Sequence, residues 1–123
     1  MSEVSDTLLK QRLRNRLMES LDAFADEEAV SAIGTDEIIE TWYDYMDDDR
    51  LGFYNEPVFS AEELNALRRF HNLLECSWQN VPTTWRPDEL EGCTAWSGLV
   101  AAAREERAIF LQRGRSDEER ENT

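Results

Sequence analysis

Carboxylates and aromatic rings are concentrated in residues 35–57, TDEIIETWYDYMDDDRLGFYNEP. The acids are Asp36, Glu37, Glu40, Asp44, Asp47, Asp48, Asp49 and Glu56, and the rings are Trp42, Tyr43, Tyr45, Phe53 and Tyr54. Carboxylates in such a cluster can ligate a hard cation, form an acid–base pair, or present a negative surface to a basic partner. The spacing of the side chains decides among these three chemistries.

The loop that begins at Asp47 does not have the spacing of a calcium site. Set against a helix–loop–helix calcium loop, Asp47 and Asp49 fall on ligand positions, but Leu51 takes the third. Val58 stands where a bidentate glutamate is required, and an aliphatic side chain cannot ligate a hard cation. We therefore predict no metal site and no cofactor.

Residues that could carry out catalysis are few and scattered. His71 is the one histidine, and helical spacing places it beside Leu67 and Leu74, which favours a packed structural histidine. Cys76 and Cys93 have no metal-like spacing and no adjacent base, so we read both as reduced cysteines that are not nucleophiles. The chain has no phosphate-binding glycine loop and no CxxC motif. We predict that the protein is not an enzyme; a carboxylate-dependent enzyme with a site between helices is the third-ranked alternative.

Binding is the chemistry that the stretch 35–57 favours. Tyr and Trp offer rigid contact area with a polar tip, and they are enriched where proteins meet. The residues that we predict to contact a partner are Asp44, Tyr45, Asp47, Asp48, Asp49, Tyr54, Trp42 and Trp85. Trp78 and Trp96 lie on apolar helix stripes and are predicted to be core. The competing interpretation is a solvated acidic helix whose rings point inward.

The elements that position these residues all read as helices. Ser5 is a predicted N-cap for a first helix, whose apolar stripe runs from Leu9 to Phe24. Gly34 ends a short helix or a bent continuation, Thr35 caps the next helix, and the triplet Asp47–Asp49 stops it before a loop at 51–57.

The second half of the chain continues the helical pattern. Ser60 and Glu63 form a capping box that opens a helix ended by Pro82, Pro87 opens a turn, and a last helix runs from about Thr94 to residue 114. No alternating strand pattern is present. We predict an all-α, single-domain helical bundle of about four main helices with short extra helices, spanning residues 1–114, and a frayed polar tail at 115–123.

Charge is distributed unevenly along the chain. The 123 residues carry 27 acids and 13 bases, a net charge of −14. Residues 25–57 hold eleven acids and the single base Arg50, so this quarter of the chain carries −10. Phosphates would be repelled, which argues against a nucleic-acid partner. No apolar run approaches the roughly 20 residues of a membrane span, and no signal-peptide core is present, so we predict a cytoplasmic protein that does not engage a membrane.

In size, charge, helicity and its surface rich in Asp and Tyr, the chain resembles the small acidic immunity proteins of bacterial toxin systems. That resemblance implies a protein that covers the basic active site of a nuclease toxin through Asp44, Tyr45, Asp47–Asp49 and Tyr54. Our leading prediction is thus a non-enzymatic acidic protein that binds a basic partner protein. The alternative is a small helical scaffold or regulatory subunit that self-associates as a homodimer.

Overall fold

The computed structural model describes residues 5–121, apart from the side chains of residues 48, 50 and 51. The helices are α1 (Asp6–Ala25), α2 (Glu27–Tyr45), α3 (Asp48–Phe53), α4 (Ala61–Ser77) and α5 (Thr94–Leu111). Short 3-10 turns follow α4 at Trp78–Asn80 and precede α5 at Pro87–Leu90. Residues 5–121 contain no strand, and the predicted all-α fold is confirmed.

The four long helices enclose one core. α1 packs against α2 and α5, and α4 packs against α5. Aromatic rings join the helices at the centre: Phe24 meets Phe70 edge-to-face with 5.0 Å between ring centroids, and Trp42 meets Phe70 at 4.8 Å. Such pairs contribute about 0.5–1.5 kcal/mol beyond the area that they bury. Trp96 is part of this core, as predicted.

Local hydrogen bonds begin the helices where the sequence predicts. The Ser5 hydroxyl accepts from the Leu8 N–H at the start of α1. Ser60 and Glu63 form the reciprocal capping box of α4, each side chain accepting from the other residue's backbone N–H at 3.1 Å. Asp26 separates α1 from α2 and accepts from the Glu28 N–H, so the segment after α1 is a separate helix rather than a bent continuation.

A kink at Gly34 divides α2. Gly34 has φ 83° and ψ 156°, a backbone conformation that is essentially restricted to glycine. Thr35 was predicted to cap the helix that follows it, but its polar groups bond to another segment. Its backbone N–H donates to the Thr84 carbonyl at 3.0 Å, and its hydroxyl donates to the Pro82 carbonyl at 2.7 Å. The kink is therefore the point where α2 is tied to the connection between α4 and α5.

The acidic triplet ends one helix and begins another. α2 ends at Tyr45, as predicted, but Asp48 is the first residue of α3, so a loop from residue 51 is wrong. Acids are unfavourable at the negative C-terminal end of a helix dipole and favourable at its positive N-terminal end. The acidic triplet therefore ends α2 and stabilises the start of α3.

Two further segments differ from the sequence predictions. Trp78 is 43% exposed rather than core, because α4 ends at Ser77 and the 3-10 turn carries the ring out of the apolar stripe. Residues 115–121, predicted to fray, instead lie along α1 and hydrogen-bond to Gln11, Arg12 and Asn15. A tail without apolar residues is held here by polar side chains of α1, which the tail's own composition does not reveal.

Candidate interaction surface

The outward face of α2 is acidic in its first turn and again from Asp36 to Asp44. Val30, Ile38 and Trp42 point into the core at helical spacing, which leaves the charged positions in solvent. The exposed acids are Glu27, Glu28, Asp36, Glu37, Glu40 and Asp44. Residues 27–45 contain no Lys or Arg, so no cation within α2 offsets these six charges.

Among residues 5–121, seven arginines form ion pairs with acids that lie outside α2. These ion pairs are Arg14–Glu63, Arg113–Glu63, Arg16–Glu19, Arg115–Glu19, Arg16–Glu118, Arg115–Glu118, Arg69–Glu106, Arg107–Asp22, Arg86–Asp88 and Arg86–Glu89. They join α1, α4, α5, the 87–90 turn and the 112–121 segment. Within the described residues, Glu27, Glu28, Asp36, Glu37 and Glu40 make no ion pair. The fold thus separates a paired side from an uncompensated acidic face on α2.

Two of the predicted contact residues are buried, so the prediction is wrong for them. Trp42 is 0% exposed, and its Nε1 donates to Nδ1 of His71 at 3.1 Å. Tyr54 is 2% exposed; its hydroxyl donates to the Tyr45 carbonyl, and its ring lies 4.9 Å from that of Phe59. Each polar tip has a partner inside the fold, which lets the ring be buried without an unsatisfied donor.

The remaining predicted contact residues around α3 lie at the surface or border it. Asp44, Asp47 and Asp49 are exposed, and the side chain of Asp48 lies outside the described residues. Tyr45 is half-buried and borders a shallow cleft of about 340 Å³. The other residues that line this cleft are Leu9, Leu13, Asp44 and Phe53. Carboxylates and an apolar cleft therefore adjoin each other at the C-terminal end of α2.

Trp85 lies on the surface, as predicted for a contact residue. It is 60% exposed, and its ring packs flat against the kink, so that a Cβ built on Gly34 would lie 2.8 Å from its Nε1. Asp36 and Glu37, both exposed, follow directly on α2. Trp85 therefore stands beside the acidic face, but more than half of α2 separates it from the end of that helix.

His71 belongs to a packed cluster, as predicted. It is buried between Trp42 and the edge of Tyr43, and its Nε2 lies 3.5 Å from Oε1 of Glu75. Burial, together with the neighbouring Glu75 carboxylate, raises the pKa of Tyr43. These rings pack between α2 and α4, and Nδ1 of His71 accepts a hydrogen bond from Nε1 of Trp42.

Sequence reasoning missed the most heavily hydrogen-bonded polar group of the fold, on α1. Gln11, Arg14 and Asn15 are buried although they lie outside the leucine stripe, and residues 114–121 cover them. Their spacing of three and four residues on one face was the available signal, but polar residues in that pattern usually face water.

Among residues 5–121 no group of three potential metal ligands comes together, and no helix has the length and apolar character of a membrane span. Comparison of the chain with known protein families, curated proteins and solved structures finds no match.

Proposed function

We propose that this protein is a non-enzymatic acidic binding protein that engages a basic partner protein through the outward face of α2. The observation that carries the proposal is the separation of charge. Asp36, Glu37 and Glu40 are exposed and make no ion pair within residues 5–121, whereas seven arginines pair with acids outside α2. A surface with one sign of charge accelerates association with a partner of the opposite sign.

Trp85 gives this surface an exposed aromatic anchor. Large aromatic side chains carry much of the binding energy at interfaces, whereas charges at a rim mainly set the association rate. Its position against Gly34 holds the ring in place, so less side-chain freedom is lost when a partner covers it. Asp44 lies near the end of α2, and Asp47 and Asp49 extend the acidic surface past it, with Tyr45 at its edge.

A finer form of this proposal follows the resemblance to immunity proteins: the basic partner is a nuclease toxin, and both act in the bacterial cytoplasm. A nuclease must bind phosphates, so its active site is basic and suits a carboxylate-rich surface. Self-association across the same face is disfavoured, because two copies would oppose like charges.

The test is to compare association kinetics after neutralising three charges in two places. The partner is first captured from the source cell on the immobilised chain. The variant D36N/E37Q/E40Q removes three charges from the α2 face. The control E62Q/E105Q/E119Q removes three from α4, α5 and the 112–121 segment, where these exposed carboxylates also make no ion pair in the described chain.

We expect the α2 variant to associate more slowly, most clearly at low salt, and to dissociate at nearly the original rate. The control should associate much faster than the α2 variant. Trp85→Ala should instead raise the dissociation rate, as expected for an anchor. Equal association rates and salt slopes for the two triple variants would refute the assignment of the α2 face.

A further inference from the structure

Residues 114–121 lie along α1 and contain no apolar side chain. The segment turns after Asp117, whose Oδ1 accepts from the N–H groups of Glu119 and Arg120. Side chains of α1 bind its backbone. Nε2 of Gln11 donates to the carbonyls of Asp117 and Arg120, at 2.8 and 2.7 Å, and Nε of Arg12 donates to the carbonyl of Glu118 at 2.7 Å. These hydrogen bonds are made to main-chain carbonyl oxygens, which every peptide has.

Asn15 forms a reciprocal pair with the backbone of Ser116. Its Nδ2 donates to the Ser116 carbonyl, and its Oδ1 accepts from the Ser116 N–H, both at 2.8 Å. This two-bond pattern resembles the way in which neighbouring strands exchange hydrogen bonds. Asn15 is 0% exposed and Gln11 1% exposed, so the segment covers them completely.

One side chain of the segment is recognised by charge. The Glu118 carboxylate accepts from Nδ2 of Asn15 at 3.0 Å, from Arg115 at 3.1 Å, and from Arg16. The hydrogen bond from Asn15 and the nearby Arg16 charge lower the pKa of Glu118. Glu119, the next residue, is exposed and makes no ion pair among the described residues. The α1 face therefore selects an acid at one position.

The contacts are of a kind that can open and close. Departure of residues 115–121 would expose Gln11, Arg12, Asn15 and Arg16, which water can solvate. The buried Arg14 would lose the Ser116 hydroxyl but keep Glu63 and the Phe110 carbonyl.

We propose that this face of α1, formed by Gln11, Arg12, Asn15 and Arg16, is a binding site for an acidic peptide of another protein. The chain's own residues 114–121 are its intramolecular occupant, which that peptide can replace. A second copy of the chain is disfavoured as the source, because each copy carries a net charge of −14. The site is separate from the acidic face of α2 and takes a ligand of the opposite charge.

The experiment uses the full chain and a labelled synthetic peptide with the sequence of residues 114–121. A tethered segment competes at an effective concentration of the order of millimolar, so the unmodified chain should bind the peptide weakly. Glu118→Gln weakens the tethered occupant and leaves α1 unchanged. Because a hydrogen bond to a charged group contributes more than a neutral one, we expect the peptide to bind this variant about tenfold more tightly.

Three controls make the result specific. Glu119→Gln removes the same charge one residue away and should leave peptide affinity at the level of the unmodified chain. A peptide with Gln in place of Glu118 should bind the Glu118→Gln chain more weakly than the original peptide. Adding Asn15→Ala to Glu118→Gln should abolish binding while circular dichroism shows an unchanged helix content. Equal affinities of the Glu118→Gln and Glu119→Gln chains, or no binding to either, would overturn the proposal.

A second measurement tests whether the peptide belongs to another protein once binding is established. If two copies of the chain exchanged these segments instead, sedimentation of the unmodified chain would show a dimer whose fraction rises with concentration, and this outcome would overturn the assignment to another protein. If the peptide comes from another protein, the unmodified chain should remain a monomer across the same range.

Discussion

Trp42 and Tyr54 are buried aromatic residues whose polar atoms find partners inside the fold. Nε1 of Trp42 meets His71 and the Tyr54 hydroxyl meets the Tyr45 carbonyl, and both rings are buried. Trp85 has no such partner in the described part of the chain, and it remains exposed. The amino-acid type predicts contact area for each ring but not the partner of its polar tip, so the sequence could not separate core from surface here.

This difference predicts the effect of the same substitution at two tryptophans. Trp42→Phe should lower the free energy of unfolding by about 1–3 kcal/mol, because Nδ1 of His71 loses its donor in a buried place. Trp85→Phe is the matched control and should change it by no more than about 0.5 kcal/mol. Urea unfolding followed by circular dichroism measures both, and equal midpoints would contradict the buried hydrogen bond.

Among the elements, the helix starts that depend on a few neighbouring residues were predicted correctly. The cap at Ser5 and the box at Ser60–Glu63 rest on bonds between residues three positions apart. The role of Thr35 was missed because its partner, Thr84, lies 49 residues away. The cover over Asn15 was missed for the same reason, since Ser116 lies 101 residues away. Helix starts are encoded locally, whereas the ties between helices depend on a fold that one helix does not contain.

The kink in α2 predicts that a small substitution at Gly34 destabilises the protein. Gly34→Ala should destabilise the protein by about 1–3 kcal/mol, because φ 83° with ψ 156° strains any side chain, and the new Cβ would also press on the Trp85 ring. Gly98→Ala is the control: Gly98 is exposed within α5 with nothing within 4 Å of a new Cβ, so this change should stabilise by about 0.5–1 kcal/mol.

A double-mutant cycle separates the two causes at the kink. In a Trp85→Ala background the contact disappears but the backbone strain stays, so Gly34→Ala should cost less there than in the unmodified chain. If Gly34→Ala costs the same in both backgrounds, the ring exerts no pressure on this position. Urea midpoints of the four proteins supply the comparison.

Across the whole molecule, Glu63 is the carboxylate on which distant segments converge. Burial raises its pKa, but hydrogen bonds from Arg14 and Arg113 outweigh burial and hold the pKa of Glu63 below its ordinary value of 4.5. The Arg14 and Glu63 side chains are 2% and 1% exposed, with Nη2 and Oε2 2.8 Å apart. Arg14 also donates to the carbonyls of Phe110 and Gly114, so one buried group joins α1, α4 and the end of α5.

The lowered pKa fixes the sign of a pH dependence. Stability from ionised Glu63 is fully present above the ordinary value of 4.5 and is lost as pH falls through the lower value in the folded protein. Glu63→Gln should cost roughly 3–5 kcal/mol at pH 7, because it leaves Arg14 without its anion. The difference between the two proteins should shrink below about pH 4.5 in urea unfolding. A difference that stays constant down to pH 3 would rule out this role for the ion pair.

The bonds between α1 and residues 114–121 also bear on synthesis at the ribosome. α1 leaves the ribosome before the other helices, and it can meet α2 while α4 and α5 are still being made. Arg14 must wait for Glu63, and Asn15 for Ser116, which is translated after α5. During elongation the polar face of α1 is therefore open to water and to other proteins, and it closes only after residues 114–121 have been released.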